Sequence, residues 1–186
     1  MSLVSPIHLR KVTRALRKGG VIAYPTEAVW GLGCDPNDEE AVMRLLAIKD
    51  RPVEKGLIVI ASDFSDIEPW LLPMAEKVED RAYRTWPGPY TWLWPATPEA
   101  PKWITGGSHR IAVRITRHPV AAALCDAFGP LVSTSANRAG QPPARSLTDI
   151  QLRLRRDIDA VLPGPIGRAP RPTTIRDLVS GRIVRS

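Results

Sequence analysis

The segment that does most to decide the fold spans residues 21–33 and reads Val-Ile-Ala-Tyr-Pro-Thr-Glu-Ala-Val-Trp-Gly-Leu-Gly. Residues 21–24 are apolar and stop at Pro25, a pattern that predicts a short buried strand. A polar, glycine-rich stretch follows, and α/β sheets often bind ligands in the loops that follow their strands. Glycine permits tight turns and close backbone approach, so this stretch is either a plain turn or part of a binding site.

Helices and strands are predicted along the rest of the chain. Ser5-Pro6 begins a helix in which apolar residues recur at helical spacing, and Gly19-Gly20 ends it. Further helices are predicted over residues 38–48, 65–71, 74–85, 120–128 and 146–156, the last one opened by a Ser146-x-x-Asp149 capping box. Further strands are predicted over residues 57–61, 90–94, 111–115, 131–133 and 160–162, and residues 174–178 and 183–185 form a final hairpin.

These elements alternate irregularly, which favours an α/β or α+β-like fold with both parallel and antiparallel strand pairs. No break in composition indicates a domain boundary, so residues 1–186 are predicted to form a single domain. No apolar run is long enough to cross a membrane, and no signal segment is evident at the N-terminus. The two cysteines, Cys34 and Cys125, lack C-x-x-C spacing. We therefore expect a cytoplasmic protein with two buried thiols and no membrane contact.

The net charge of +7 is unevenly distributed along the chain. Residues 1–18 carry a charge of +5, residues 19–137 carry −4, and residues 138–186 carry +6. Basic ends around an acidic middle suggest an anionic partner, with nucleic acid first. An equally good interpretation from charge alone is a solvated surface that keeps the protein in solution.

Several common catalytic signatures are absent from the sequence. There is no G-x-x-x-x-G-K-[ST] phosphate loop, no G-x-G-x-x-G, no H-E-x-x-H and no G-x-S-x-G. The three histidines, His8, His109 and His118, form no ligand-like cluster. The sequence therefore predicts no metal site built from protein groups, and any nucleotide must be held by a less common cradle.

A cationic segment, Lys-Asp-Arg-Pro-Val-Glu-Lys-Gly, spans residues 49–56. Lys49, Arg51 and Lys55 follow the predicted end of a helix, where cations can satisfy the terminal carbonyl groups. The same cations can instead hold a polyphosphate, with Arg as a fork and Lys as a point charge. The stiff, shaped loop made by Pro52 and Gly56 favours the second interpretation.

Two strands of the middle region carry polar groups. Along residues 110–116, alternation places Ala112, Arg114 and Thr116 on one face. A buried Arg114 needs a partner, and either a carboxylate ligand or an internal salt bridge would serve. Residues 131–137, Leu-Val-Ser-Thr-Ser-Ala-Asn, place three hydroxyls and an amide directly after an apolar run. These groups make either a binding loop or simple turns and caps.

Taken together, these segments resemble the YrdC family. The motifs that carry the resemblance are Tyr24-Pro-Thr-Glu, Lys49-x-Arg51 with Pro52 and Lys55, Trp86-Pro-Gly-Pro-x-Thr91, Ala112-Val-Arg114 before His118-Pro119, Ser133-Thr-Ser-Ala-Asn137, and Pro172-Thr-Thr-Ile175 with Asp177. They run in the family's order from about residue 20 to residue 178. The chain departs from the pattern at Gly56, where many relatives have Pro, at Ile60, where longer relatives often have His, and at Thr173, which replaces Ser.

The resemblance implies a YrdC-like twisted mixed sheet, flanked by helices, with a concave basic cavity. By position, the expected ATP-binding residues are Lys49, Arg51, Lys55, Ser135, Asn137 and Thr173. The expected threonine-binding residues are Thr26, Arg114, Thr116 and Ser133. Lys49 and Arg51 are expected to be catalytic, by stabilising phosphate charge.

The activity implied by the resemblance is threonylcarbamoyl-AMP synthesis from L-threonine, bicarbonate and ATP, a nucleotidyltransferase reaction. It is the first step of N6-threonylcarbamoyladenosine formation at position 37 of tRNAs that read codons starting with A. Mg²⁺ is expected to arrive with ATP, since it favours phosphates and water over all-protein cages. The implied partners are a downstream threonylcarbamoyl transferase complex and tRNA, contacted weakly by the two basic ends outside the cavity.

Two other functions compete with this one. A non-catalytic RNA-binding or ribosome maturation factor would explain the basic ends, although RRM and KH signatures are absent. Carbamoyl transfer through carbamoyl-AMP, as in the YrdC-like domain of hydrogenase maturation proteins, would use a similar site. That domain normally belongs to a much larger chain than one of 186 residues.

Overall fold

The computed structural model describes residues 4–169 and 173–185, and within them nine strands form one sheet. The strands are β1 (Ile22–Pro25), β2 (Trp30–Gly33), β3 (Ile58–Ala61), β4 (Tyr90–Pro95), β5 (Arg110–Ile115), β6 (Leu131–Ser135), β7 (Ala160–Val161), β8 (Thr174–Asp177) and β9 (Ile183–Arg185). The helices are α1 (Pro6–Leu16), α2 (Glu39–Lys49), α3 (Glu76–Tyr83), α4 (Lys102–Thr105), α5 (Pro119–Phe128) and α6 (Leu147–Arg153).

The sheet is mixed, as the sequence predicts. Its strand order is β7-β1-β2-β6-β3-β5-β4-β8-β9. The pairs β1–β7, β3–β5 and β4–β8 are parallel, and the other neighbours are antiparallel. The C-terminal hairpin of β8 and β9 therefore extends one edge of the sheet.

Helices cover the two faces of the sheet unequally. On one face, α1 and α5 pack through Leu16 and Leu124 in a cluster with Ile22 and Ile60. A larger cluster, which includes α2 residues such as Leu45, forms on the other face. On the sheet face that carries Ile60, strand register also places four residues side by side on neighbouring strands. This row contains Ser133, Ile58, Ala112 and Leu93, and all four residues line a cavity.

The largest departure from prediction concerns the glycine-rich end of residues 21–33. Residues 30–33 are strand β2, paired with both β1 and β6, and are neither a turn nor a loop. Trp30 and Leu32 are buried in the core. Glycine is required at position 33 because a Cβ atom there would lie 2.6 Å from the carbonyl oxygen of Val132. Close packing of strands explains this glycine better than turn geometry does.

Several element boundaries also differ from prediction. Residues 65–71 form two short 3₁₀ turns, because the proline at position 69 has no N–H to continue a helix. Helix α3 is shorter than the predicted 74–85, and α6 ends at Arg153 rather than near Arg156. Helix α4 was not predicted. Both cysteines are free and buried, as predicted. No helix within the described residues is long and apolar enough to cross a membrane.

Candidate functional site

A cavity of about 920 Å³ opens on the sheet face that α1 and α5 leave partly uncovered. Its wall includes residues of β3, β4, β5 and β6 and of the β8–β9 hairpin. Among the described residues, the cations in the lining are Lys49, Arg51, Lys55, Arg114 and Arg185. The lining carboxylates are Glu27 and Asp50. Five cations against two carboxylates make the cavity basic, and its size suits a nucleotide together with a small second substrate.

The structure brings nine of the ten predicted site residues to this cavity. These are Thr26, Lys49, Arg51, Lys55, Arg114, Ser133, Ser135, Asn137 and Thr173. The tenth, Thr116, does not line the cavity. It is 2% exposed, and its hydroxyl donates a hydrogen bond to Oε1 of Glu27 at 2.9 Å. Thr116 and Arg114 contact the two oxygens of the same Glu27 carboxylate, so alternation does place them on one side of the strand, and Thr116 is buried against Glu27.

Lys49 ends helix α2 and is buried against the loop that follows β6. Its ammonium group donates to the carbonyl oxygens of Ser135 and Asn137, the latter at 2.9 Å. Burial, followed by the nearby Arg51 charge, lowers the pKa of Lys49 to about 8. The helix ends there because Asp50 adopts a left-handed conformation, with φ of 51°. Lys49 is therefore a fixed cation whose partners among the described residues are neutral.

The loop after β6 is held by its own side chains. The Ser135 hydroxyl donates to Oδ1 of Asn137 at 2.6 Å. The Asn137 amide group donates to the carbonyl oxygens of Arg138 and Gln141. This network positions the polar groups beside Lys49 before any ligand is present, which limits the ordering cost of binding.

Arg51 forms another part of the cationic wall. Its guanidinium group donates to the carbonyl oxygens of Lys55 at 3.2 Å and Gly56 at 2.9 Å. Burial, and secondarily the Arg185 charge, lowers the pKa of Arg51. Two arginines from distant parts of the sequence thus face one region, an arrangement that a polyphosphate would stabilise.

Arg114 forms an ion pair inside the cavity wall. Its Nη2 atom lies 3.4 Å from Oε2 of Glu27, and its side chain is 5% exposed. Of the two partners the sequence allowed, the internal carboxylate is therefore present, although Arg114 also lines the cavity. The Thr26 hydroxyl donates to the carbonyl oxygen of Val29 at 2.7 Å, so it fixes the turn between β1 and β2.

Sequence reasoning missed three charged residues of the cavity lining, which are Glu27, Asp50 and Arg185. Glu27 lies within the Tyr24-Pro-Thr-Glu motif, which was the signal that could have identified it. Arg185 lies on β9, and only the pairing of β8 with β9 and β4 brings it to the cavity. The expectation that both basic ends lie outside the cavity is therefore wrong for the C-terminal end. Residues 139, 140, 143, 173, 175, 184 and 185 all line it.

In the part of the chain that the structure describes, no group of three or more His, Cys, Asp or Glu side chains could hold a metal ion. His118 caps α5, accepting from the backbone N–H of Ala121 at 3.4 Å. Its other ring nitrogen lies 3.2 Å from the carbonyl oxygen of Pro165. Burial lowers the pKa of His118. This histidine therefore has a structural explanation.

Comparison with known proteins identifies the relatives of this chain. The family model Sua5_yciO_yrdC, described as telomere recombination, matches residues 14–186. A protein of Alkalilimnicola ehrlichii named threonylcarbamoyl-AMP synthase is 54% identical over 184 residues, or 96% of this chain and 95% of that protein. A protein of Coxiella burnetii with the same name is 51% identical over 178 residues, or 95% and 96% of the two chains.

Among solved structures, P. abyssi Sua5 complexed with L-threonine is similar to this chain, with a TM-score of 0.86 and 33% identity. The match covers 92% of this chain and 51% of that one, so the chain spans about half the length of the Sua5 structure. The family model, the sequence relatives and the fold thus agree, and the chain belongs to the Sua5/YciO/YrdC family.

Proposed function

We propose that the chain is a threonylcarbamoyl-AMP synthase, a nucleotidyltransferase that uses L-threonine, bicarbonate and ATP and releases pyrophosphate and water. The observation that carries the proposal is that one basic cavity holds both a cluster of cations and a buried arginine–carboxylate pair. Relatives that match nearly the whole chain bear the name of this enzyme. The similar Sua5 structure is a complex with L-threonine, which supports the choice of amino acid.

The cationic wall is the proposed binding site for ATP. Lys49, Arg51 and Lys55 would neutralise the phosphates, and charge-assisted bonds of this kind are stronger than neutral ones. Ser135 is the last residue of β6, Asn137 lies in the loop that follows it, and Thr173 directly precedes β8. Thr173 is held by a hydroxyl–hydroxyl contact of 3.2 Å with Thr91. Arg185 adds a further cation beside Arg51.

The proposed threonine end contains Thr26, Arg114 and Ser133. The threonine amine attacks the carbon of bicarbonate or CO₂, and N-carboxythreonine forms; with bicarbonate, water leaves. A carbamate oxygen then attacks the α-phosphorus of ATP, and the bond to the pyrophosphate leaving group breaks. No covalent nucleophile on the protein is needed. Lys49 and Arg51 act by positioning the phosphates and stabilising the charge that develops on them.

Mg²⁺ fits this cavity as a companion of ATP. We propose that phosphate oxygens and water supply most of its ligands, in keeping with the preference of this ion. When bound, Mg²⁺ would neutralise charge on the pyrophosphate leaving group.

The proposed product places the protein before a transferase that delivers the threonylcarbamoyl group to adenosine in tRNA. A mixed anhydride of this kind is hydrolysed readily, so a walled cavity protects it until release. We also propose that the protein acts in the cytoplasm, where the tRNA is modified. A purely RNA-binding role is less well supported, since it gives no reason for the cationic cluster inside the cavity.

Pyrophosphate release tests the proposal directly. We expect release from ATP to require L-threonine and bicarbonate together, because neither alone makes the carbamate that attacks ATP. The assay omits each substrate in turn and includes heat-inactivated protein as a control. Equal release without threonine or without bicarbonate would identify a general ATPase instead.

A further inference from the structure

Glu27 and Arg114 form a pair in the cavity wall in which each partner has an unused polar atom. The Glu27 side chain is 14% exposed and the Arg114 side chain 5%. Oε2 of Glu27 and Nε of Arg114 are both buried and have no hydrogen-bond partner among the described residues. The distance of 3.4 Å between Nη2 and Oε2 makes the pair an ionic contact and not a tight hydrogen bond.

The rest of Glu27 is fixed in place. Its Oε1 atom accepts the hydrogen bond from the buried Thr116 hydroxyl. A Cβ atom on Gly167 would lie 2.5 Å from the carbonyl oxygen of Glu27, so another segment closes on the Glu27 backbone. The carboxylate is therefore oriented, and its free oxygen has a defined position beside the guanidinium group.

This charge arrangement constrains the ligand that Arg114 can bind. A simple carboxylate at Arg114 would place two negative charges beside one positive charge in a site of low dielectric constant. Its binding would be opposed by the repulsion from Glu27. A ligand with an ammonium group next to its carboxylate restores the balance, because each ligand charge then meets an opposite charge on the protein.

We infer that Glu27 binds the α-ammonium group of the amino-acid substrate, while Arg114 binds its carboxylate. The inference rests on the proposed function and deepens it, because it makes the pair a selector for zwitterionic α-amino acids. Thr116 is then a positioning residue that acts through Glu27. The same contact holds the reacting nitrogen in a defined place, and the ammonium group releases one proton to water before its lone pair attacks the carbon of bicarbonate.

The first test uses the unmodified protein and two ligands. 3-Hydroxybutyrate keeps the carboxylate and hydroxyl groups of threonine and lacks only the ammonium group. By calorimetric titration we expect it to bind at least about tenfold more weakly than L-threonine, the factor that a charge-assisted contact supplies. Equal affinity for the two ligands would overturn the inference.

The second test uses Glu27→Gln, which keeps the shape and removes the charge. We expect L-threonine affinity to fall about tenfold or more, while 3-hydroxybutyrate affinity stays the same or rises. The ratio of the two affinities should collapse toward one. Asp50→Asn, which removes the other cavity carboxylate, is the matched control and should keep the ratio. Equal loss for both ligands in Glu27→Gln would mean a merely structural role and would overturn the inference.

Failure of this inference and failure of the proposed function give different results. If the unmodified protein binds L-threonine and 3-hydroxybutyrate equally and still releases pyrophosphate with threonine, the inference fails and the proposed function stands. If threonine neither binds nor supports pyrophosphate release, the proposed function fails. In that case a panel of α-amino acids tests the inference by itself. The inference stands only if one of these amino acids binds at least about tenfold better than the analogue that lacks its amino group. Should Glu27→Gln not fold, the comparison on the unmodified protein still decides.

Discussion

Lys49 carries a charged group that is buried in the protein, and burial disfavours the charged form. Its side chain reaches from the last residue of α2 to the carbonyl oxygens of Ser135 and Asn137. Within the described part of the chain, no carboxylate is among its hydrogen-bond partners. Burial therefore lowers its pKa to about 8, against an ordinary value of 10.5. A bound phosphate would supply the missing negative charge and favour the protonated form.

This pKa predicts how ATP affinity depends on pH. The pKa is lowered, so Lys49 is charged below about pH 8 and loses its charge as the pH rises through that value. We expect the dissociation constant of ATP to increase above about pH 8. Titrations of Lys49→Arg across the same range are the comparison, because arginine keeps its charge and should give a flatter profile. Coinciding profiles would show that Lys49 does not titrate against ATP.

Single substitutions also test how the cavity is divided between its ligands. We expect Lys49→Ala and Arg51→Ala to weaken ATP far more than threonine, and Arg114→Ala to do the reverse. Each charge-assisted contact contributes about 1.5–3 kcal/mol. Calorimetric titration of both ligands against each folded variant measures the division. Our assignment would be wrong if every variant weakened the two ligands equally.

Local signals in the sequence predicted some elements better than others. The Pro after Ser5, the His118-Pro119 pair and the Ser146 capping box each mark a helix start that the structure confirms. Strand β2 and helix α4 escaped prediction because long-range contacts decide them. Strand β2 depends on pairing with β6, and within α4 the Trp103 indole donates to the carbonyl oxygen of Pro36 at 2.8 Å. Propensity carries no signal of such partners.

The candidate site shows the same difference between residues that a local motif identifies and residues that long-range contacts bring in. Lys49 and Arg51 belong to one short motif, and Ser133, Ser135 and Asn137 belong to another. Both motifs could be recognised in the sequence, and these residues do line the cavity. Arg185 could not be found in this way, because it reaches the site only through strand pairing. Thr116 lies on the Arg114 side of the strand, as alternation predicts, but it does not line the cavity because its hydroxyl is buried against the Glu27 carboxylate.

The capping box of α6 gives a prediction about stability. The Ser146 hydroxyl accepts from the backbone N–H of Asp149, and the Asp149 carboxylate accepts from the backbone N–H of Ser146. We expect Ser146→Ala to lower the free energy of unfolding by about 1 kcal/mol, because the cap is lost from the first turn of the helix. Urea denaturation measures the difference, with Ser146→Thr as the control that keeps the hydroxyl. Equal loss in both variants would rule out the cap as the cause.

At the scale of the whole molecule, the basic N-terminal end is the surface proposed to meet tRNA. Arg10 and Arg14 of helix α1 and Arg17, its C-cap, are exposed at helical spacing, and α1 packs against α5 on its other side. The described residues that line the cavity do not include these three. Binding of one phosphate backbone by such a face would carry little sequence information.

Reversing these three charges to Glu tests that surface. We expect tRNA affinity to fall and to depend less on salt. The slope of log affinity against log salt concentration should become shallower by about 0.9 for each phosphate that is no longer neutralised. Threonylcarbamoyl-AMP synthesis should continue, because the reaction does not use tRNA. Unchanged tRNA affinity in the folded variant would identify the helix as an ordinary solvated face, and lost synthesis would place it in the cavity.

Product analysis with ¹³C-labelled bicarbonate tests the central claim most directly. The protein is incubated with ATP, Mg²⁺, labelled bicarbonate and one amino acid at a time, and the nucleotides are identified by mass spectrometry. Our account predicts threonylcarbamoyl-AMP that carries the label, with one pyrophosphate for each molecule formed, when L-threonine is the amino acid. Unlabelled AMP or ADP in amounts that do not depend on threonine would contradict it.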